Sequence, residues 1–354
     1  MRTERKTARI QKGYDYSAAD ARILKMGRYE EDEESILTTW SGFTLKFSFA
    51  GTGCEIGIRG SGIYFDVFVD GERSQLVTHA GKEKYTIAAG LKDSVHDVIV
   101  ARRSHCLNGQ SRFVGISSCR SRKFELVRPF YSPALHLEIT GDSIAAGCNA
   151  EMKKDQQPMP EYDNGYMAFG PVAARLLNAG WSNIGVGGRG LCRNWNEEKP
   201  YPGPHMNDYY DGAVYPMTGG YARNRQKAGI VIIELGTNDF GHEDPPSALM
   251  YAAVYSKLVR KALRRNKGAH VICMAPFLGG PEYLPCRNAI QAAAGSLSRR
   301  KVHYIDPVKE NWFGAEAYGE CFPDGVHPNL KGHELIAKKL AEFIKAKCLA
   351  EENG

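Results

Sequence analysis

The spacing of apolar residues changes once along this chain, and that change limits the folds open to it. "FTLKFSF" alternates strictly, with Phe43, Leu45, Phe47 and Phe49 on one face and Thr44, Lys46 and Ser48 on the other. Period two is the pattern of a strand with one face in a core. "CEIGIRG", "YFDVFVDGE", "KYTIAAG", "HDVIVARR" and "RFVGISSC" continue it, separated by Gly, Asp, Ser and Asn turns, with Asp70-Gly71 a hairpin signal. Short strands at this spacing, with no helical period among them, predict a β-sandwich or jelly roll over residues 1–130.

At "RPFYSP" two prolines, Pro129 and Pro133, interrupt both periods, and a different pattern fills residues 131–354. Strands are predicted at Leu135–Thr140, Ser182–Val186, Ile230–Leu235, His270–Ala275 and Val302–Asp306. Helical stretches alternate with them. One runs from about Ser247 to Asn266, with Gly268 as its stop, and a last one covers roughly Leu330 to Lys347. Short β-branched strands alternating with helices predict an α/β unit, a parallel sheet covered on both faces. Ligands of such sheets bind beyond the carboxyl ends of the strands. Functional residues are therefore expected just after them.

Four blocks meet that condition or stand near it. "LHLEITGDSIAAG" delivers Ser143 after the first strand, among small residues that would let a substrate approach. Gly-Asp-Ser alone is equally an ordinary turn. "NIGVGGRG" matches the dinucleotide fingerprint at Gly185, Gly187 and Gly190, but the proline-rich "LCRNWNEEKPYPGPH" follows where that fingerprint needs a helix, so the nucleotide reading fails. Such glycines can instead leave a backbone N–H pointing at a developing oxyanion, or simply form a tight loop. "ELGTNDF" puts Asn238 at the end of the third strand, where its amide could be a second oxyanion donor, with Asp239 expected to order the turn or cap the next segment. "CFPDGVHPN" carries Asp324 and His327, a base with a carboxylate one turn away to hold its tautomer. No block is specific alone; their order along the chain is.

That order resembles the SGNH hydrolases, the GDSL esterase family. The resemblance implies Ser143 as nucleophile, His327 as general base and Asp324 orienting it. It also implies an oxyanion hole from the backbone N–H groups of Ser143 and Gly188 and the Asn238 side chain, on a flavodoxin-like, three-layer fold with a five-stranded parallel sheet. The N-terminal phrases "WSGFTLKFSFAGTGCEIGI", "YFDVFVDGE" and "GLKDSVHDVIVARRS" are similar to the jelly-roll half of carbohydrate esterase family 2. Members of that family remove O-acetyl groups from hemicellulose sugars such as xylan and mannan. Some of them work as a Ser–His dyad; Asp324 at the usual SGNH position leads us to expect a triad here. The substrate implied is an acetylated manno-, gluco- or xylo-oligosaccharide, with no cofactor and no metal. "HELIA" agrees, placing Ala337 where a zincin motif needs its second His.

The aromatic and proline-rich segment from Trp195 to Pro216 stands beside the expected site. Trp195, Tyr209, Tyr210 and Trp312 are candidates for stacking on sugar rings; the competing reading is packing between domains. A net charge of +6 with scattered basic residues gives no nucleic-acid module, and the Lys257–Lys267 run reads as a solvated helix face. No apolar window approaches the ~20 residues that cross a bilayer, so no membrane partner is expected. Nine cysteines without a C-x-x-C pair, and no apolar leader, lead us to expect a reducing, cytoplasmic setting. Two rivals remain at this level: an SGNH hydrolase for another acyl group, and a carbohydrate-binding protein with an inactive hydrolase half. Which sugar, which acetyl position and which oligomeric state stay open.

Overall fold

The computed structural model describes residues 9–119, 124–127, 133–198, 203–217, 226–297 and 301–350. The predicted junction between the halves, with Pro129, lies outside these residues. Before it come β1 (Tyr16–Ser17), β2 (Leu24–Met26), β3 (Glu30–Glu31), β4 (Ile36–Thr38), β5 (Thr44–Gly51) and β6 (Cys54–Arg59). They are followed by β7 (Tyr64–Val69), β8 (Glu72–Val77), β9 (Lys84–Ala88), β10 (Ser94–Arg102), β11 (Ser111–Ser118) and β12 (Glu125–Val127). All pair antiparallel, in two six-stranded sheets ordered β3-β4-β11-β6-β9 and β12-β5-β10-β7-β8, with β1 added to β11 and β2 to β5. Leu45, Phe47 and Phe49 of β5 meet Ile56 and Ile58 of β6 and Phe113 of β11 in the core between the sheets, all of them buried. This is the sandwich that the alternation predicts.

The other face of the β5 sheet is not left to solvent, as a half-buried strand would leave it. Thr44 and Ser48 are also buried. Met26, Phe68, Ile99 and Ala101 pack against Tyr166, Trp181 and the start of the α/β half, and the Trp181 indole N–H donates to the Gly42 carbonyl at 2.8 Å. Small hydroxyl residues leave this face flat enough for another layer to cover it.

The second half is a parallel sheet of β13 (His136–Gly141), β14 (Gly180–Gly185), β15 (Ile230–Glu234), β16 (His270–Met274) and β17 (Val302–Ile305), ordered β14-β13-β15-β16-β17. All five strands begin and end within two residues of the sequence expectation. The helices are α1 (Ser143–Ala146), α2 (Phe169–Leu176), α3 (Met206–Tyr209), α4 (Thr237–Phe240), α5 (Ala248–Arg265), α6 (Leu284–Gly295), α7 (Gly314–Cys321) and α8 (Leu330–Ile344). They split into two apolar cores, one around α5 and α6 and one around α2 and α8, which is the three-layer α/β arrangement. Ser247 caps α5 by accepting the Met250 N–H at 3.2 Å. Among the described residues no helix is long and apolar enough to cross a membrane.

A buried ion pair crosses between the halves. Arg28, just after β2, donates to Glu138 in the middle of β13 at 2.9 Å, with both side chains fully buried. Tyr210 closes the knot, its hydroxyl donating to Glu138 and its carbonyl accepting from Arg28. Tyr210 is therefore a packing residue and not a sugar platform. Tyr209 is only 3 % exposed and lies against Tyr215 at 4.8 Å between centroids, so it too has no face free for a ligand.

Candidate active site

β13 runs straight into the Gly-Asp-Ser turn because every position there is small or capped. A Cβ on Gly141 would come within 2.5 Å of the Ala145 Cβ, and one on Gly185 within 2.4 Å of the Ala146 nitrogen. Glycine is thus required for α1 to lie against β13 and β14. Asp142 caps that single turn by accepting the Ile144 N–H at 2.9 Å. The turn leaves Ser143 part-exposed at the carboxyl end of the sheet, where the strand reading places it.

His327 reaches it from the other end of the chain. Its Nε2 lies 2.8 Å from Ser143 Oγ and its Nδ1 lies 2.8 Å from Asp324 Oδ2. The other carboxylate oxygen, Asp324 Oδ1, accepts the backbone N–H groups of Val326 (2.9 Å) and His327 (2.7 Å). Burial alone would raise the Asp324 pKa. The imidazole and the two backbone donors outweigh it and hold the carboxyl well below the usual carboxylate range. Asp324 is ionised at neutral pH and can keep the proton of neutral His327 on Nδ1, leaving Nε2 as an acceptor.

The other two blocks join the same network. Asn238 in α4 donates its amide to Arg189 O at 3.0 Å and, more weakly, to Asp142 Oδ2 at 3.4 Å. Asp239 accepts the backbone N–H groups of Leu191, Cys192 and Arg193, so its expected turn-ordering role falls on the glycine loop rather than on its own helix. That loop holds Gly188 at φ +72°, and Trp195 N–H closes it on the Gly188 carbonyl at 2.8 Å. Among the described residues neither the Ser143 N–H nor the Gly188 N–H donates a hydrogen bond.

Several side chains around this centre carry no motif. Asn149, at φ +56°, directs its amide at Asp324 Oδ2 (3.2 Å) and His327 Nδ1 (3.4 Å), and its backbone N–H donates to Asp163 Oδ1 at 3.1 Å. The sandwich reaches this loop too. Arg103, fully buried, holds Glu151 at 2.6 Å and the carbonyls of Glu161 and Asp163, and His105 stands 3.7 Å from Asp163. Burial pushes the Asp163 carboxyl up to about 6 and drops the His105 imidazole to about 4. Nothing local in the sequence marks Asn149; its left-handed backbone, which asparagine tolerates, appears only in the fold. Behind Ser143, Glu234 is fully buried with neither oxygen hydrogen-bonded among the described residues. Burial, with Asp142 nearby, pushes its carboxyl well above the usual carboxylate range.

Of the aromatic candidates, Trp195 is 59 % exposed, its ring 4.9 Å from that of His242. Trp312 is 8 % exposed, and its indole N–H donates to Glu310 at 3.0 Å. It lines a cavity of about 540 Å³ with Phe277, Tyr283, Phe313 and Tyr318 that reaches Gly325, next to Asp324. A shallower depression beside it, with Phe240 and His242, shares Glu282 and Tyr283 with that cavity.

Comparison with known proteins follows the same division. Residues 25–124 match the carbohydrate esterase 2 N-terminal family and residues 139–335 the GDSL-like lipase/acylhydrolase family. The chain is similar to cellulase/esterase CelE of Acetivibrio thermocellus, 27 % identical over 334 residues, spanning 92 % of this chain but only 39 % of that protein's length. It is also similar to an acetylxylan esterase/glucomannan deacetylase of Cellvibrio japonicus, 22 % identical over 339 residues, covering 93 % of this chain and 90 % of that one. Among solved structures, a family two carbohydrate esterase from Clostridium thermocellum in complex with cellohexaose superposes with a TM-score of 0.80, at 26 % identity over 92 % of this chain and 98 % of that one. With more than half its length matched by the hydrolase model, the chain belongs to the GDSL-like lipase/acylhydrolase family, joined to a carbohydrate esterase 2 N-terminal part.

Proposed function

We propose that the protein is a serine carbohydrate esterase that removes O-acetyl groups from hemicellulose-derived oligosaccharides. The observation that carries this reading is the continuous line from Ser143 Oγ to His327 Nε2 and from His327 Nδ1 to Asp324, each link 2.8 Å. Ser143 attacks the acetyl carbonyl carbon while His327 Nε2 takes the hydroxyl proton. The charge that develops on the carbonyl oxygen is met by the N–H groups of Ser143 and Gly188 and by the Asn238 amide, whose long contact to Asp142 is the weaker of its two bonds. His327 then returns the proton to the departing sugar oxygen. A water, deprotonated by the same nitrogen, releases acetate from Ser143. Asp324 stabilises the imidazolium formed in each half-reaction.

The names of the relatives support a sugar ester as substrate, and exposed Trp195 beside Gly188 offers the flat apolar face that a pyranose ring needs. The test compares acetate release from acetylated manno-, gluco- and xylo-oligosaccharides by the wild type and Ser143→Ala. Ser143→Ala is expected to lose at least about 10⁴-fold in rate while still binding the oligosaccharide. Wild-type protein that binds sugar but releases no acetate would establish the carbohydrate-binding alternative. A preference for p-nitrophenyl octanoate over the acetate would assign the site to another acyl group.

A further inference from the structure

At the opposite end of the sheet from Ser143, three metal-ligating side chains converge. His270 opens β16 and His303 is the second residue of β17. In the parallel register Ile272 stands opposite His303, so His270, two residues earlier, projects from the same face as a diagonal neighbour. The third side chain is Cys348, which covers this face from the five-residue π-helical turn Lys345–Leu349 at the end of α8. Turns of this wide kind recur at functional sites. The donor atoms of all three lie within 4.8 Å of one another.

The two imidazoles are aimed edge to edge. His270 Nδ1 and His303 Nε2 are 2.8 Å apart, with the rings only 14° from parallel and their centroids 5.1 Å apart. That combination describes two nearly coplanar rings sharing one proton between facing nitrogens. A proton held in this way occupies the place where a cation would bind. Zinc bonded to two nitrogens at about 2.0–2.1 Å in tetrahedral geometry separates them by about 3.3 Å, and a thiolate at about 2.3 Å stands about 3.6 Å from each. The nitrogens need to part by roughly 0.5 Å, and because their lone-pair axes face along one line the rings must also turn, by roughly 70° between them, to converge on one tetrahedral ion. His303, which is part-exposed, is the ring with space to do so.

His270 and Cys348 are 5 % and 1 % exposed, so their donor atoms are held out of water by packing, and Phe343 of α8 sets its ring edge-on to His303 at 5.8 Å. Lys345 and Lys347 on the same turn are solvent-exposed, where their charge is screened. We propose that His270, His303 and Cys348 form a binding site for a borderline-soft divalent cation, zinc first. The cation binds two neutral imidazoles and one thiolate and ties the C-terminal turn to the edge of the parallel sheet. On binding, the ring that donated the shared proton carries its proton on its far nitrogen instead, so both imidazoles stay neutral, and the thiol proton is released to solvent. Water fills the fourth position. The site is independent of the ester chemistry, lying a whole strand length, about 15 Å or more, from the catalytic end.

The experiment uses the full chain, stripped with chelator and titrated with Co(II). One equivalent is expected to produce a near-ultraviolet thiolate-to-cobalt band together with tetrahedral visible bands, and Zn(II) should abolish both. Cys348→Ser should lose the thiolate band. His303→Ala should weaken Co(II) and Zn(II) binding about tenfold or more, with acetate release unchanged. Cys148→Ser is the control. It removes the thiol of the other three-donor group, His105, Cys148 and Asp163, whose carboxylate is already committed to the Asn149 N–H, and it should leave the spectrum intact. The proposal is overturned by the absence of a thiolate band in the wild type, or by undiminished binding in His303→Ala. If Cys348→Ser does not fold, those two measurements decide alone.

Discussion

Replacing Asp324 by asparagine should do more harm than removing the side chain altogether. The reason lies in how its two oxygens are used. Oδ1 accepts two backbone N–H groups, from Val326 and His327, so in Asp324→Asn the amide oxygen is held there. The NH₂ group must then take the Oδ2 position, 2.8 Å from His327 Nδ1 and 3.2 Å from the Asn149 amide nitrogen. It donates to Nδ1, which forces the neutral imidazole proton onto Nε2, and Nε2 can then no longer accept the Ser143 proton. It also sets two NH₂ groups against each other. In serine proteases an amide that imposes this wrong tautomer costs about 10⁴ in kcat, about 5.4 kcal/mol at 1.36 kcal/mol per decade. In Asp324→Ala, water can enter beside a side chain that is already 21 % exposed and accept the Nδ1–H. The useful tautomer survives, and the loss should be on the order of 10², about 2.7 kcal/mol. Adding Asn149→Ala to Asp324→Asn removes the clash but not the wrong tautomer, and should recover less than about tenfold. Acetate release under saturating substrate, with circular dichroism to confirm folding, reads all three variants. An asparagine variant more active than the alanine variant would refute the assignment of the two oxygens, and with it the orienting role of Asp324.

Two further outcomes follow from other residues. Trp195→Ala, at a 59 % exposed position, should raise KM for acetylated oligosaccharides about tenfold while leaving hydrolysis of p-nitrophenyl acetate and the melting temperature nearly unchanged; an unchanged KM would remove Trp195 from the sugar site. His333 is fully buried, its Nδ1 accepting the Phe169 N–H at 3.1 Å, and burial, with His327 nearby, lowers its pKa from 6.5 to about 3. Between those values the unfolded state binds the extra proton, so this residue's contribution to stability is complete above pH 6.5 and shrinks as pH falls toward 3. His333→Gln should therefore flatten the acid side of a urea-midpoint profile relative to wild type, and parallel profiles would disprove the assignment.

The five parallel strands were legible because each is a compact apolar run bounded by turn residues, and buried parallel strands leave little else to read. Ser143 and Asn238 were legible because the chemistry demands such groups at strand ends, and His327 because a carboxylate three residues before it marks the block ahead of the last helix. What escaped were residues whose role depends on a partner far away in sequence. Asn149 looks like any turn asparagine until Asp324 and His327 arrive beside it. Tyr209 and Tyr210 read as sugar platforms because an exposed tyrosine and a buried one have the same composition. Glu138, a charge inside "LHLEIT", did carry a signal, since a carboxylate in a buried strand demands a cation and a donor. Arg28 and Tyr210 answer that demand, but no local pattern could name them.

The Arg28–Glu138 pair has a consequence for how such proteins can be recombined. The two halves look like exchangeable modules, yet one half supplies the cation that makes the strand leading to Ser143 tolerable. A graft of the α/β half onto a sandwich lacking that arginine would leave the buried carboxylate with its neutral donors, Tyr210 and Asn266, but without its cation, a defect of about 3–5 kcal/mol. Biosynthesis meets the same dependency in time: the sandwich leaves the ribosome first, with Arg28 hydrated on an open face, and the face closes only when Glu138 follows. Any lineage that exchanged one half had to carry the matching partner across or replace both residues together.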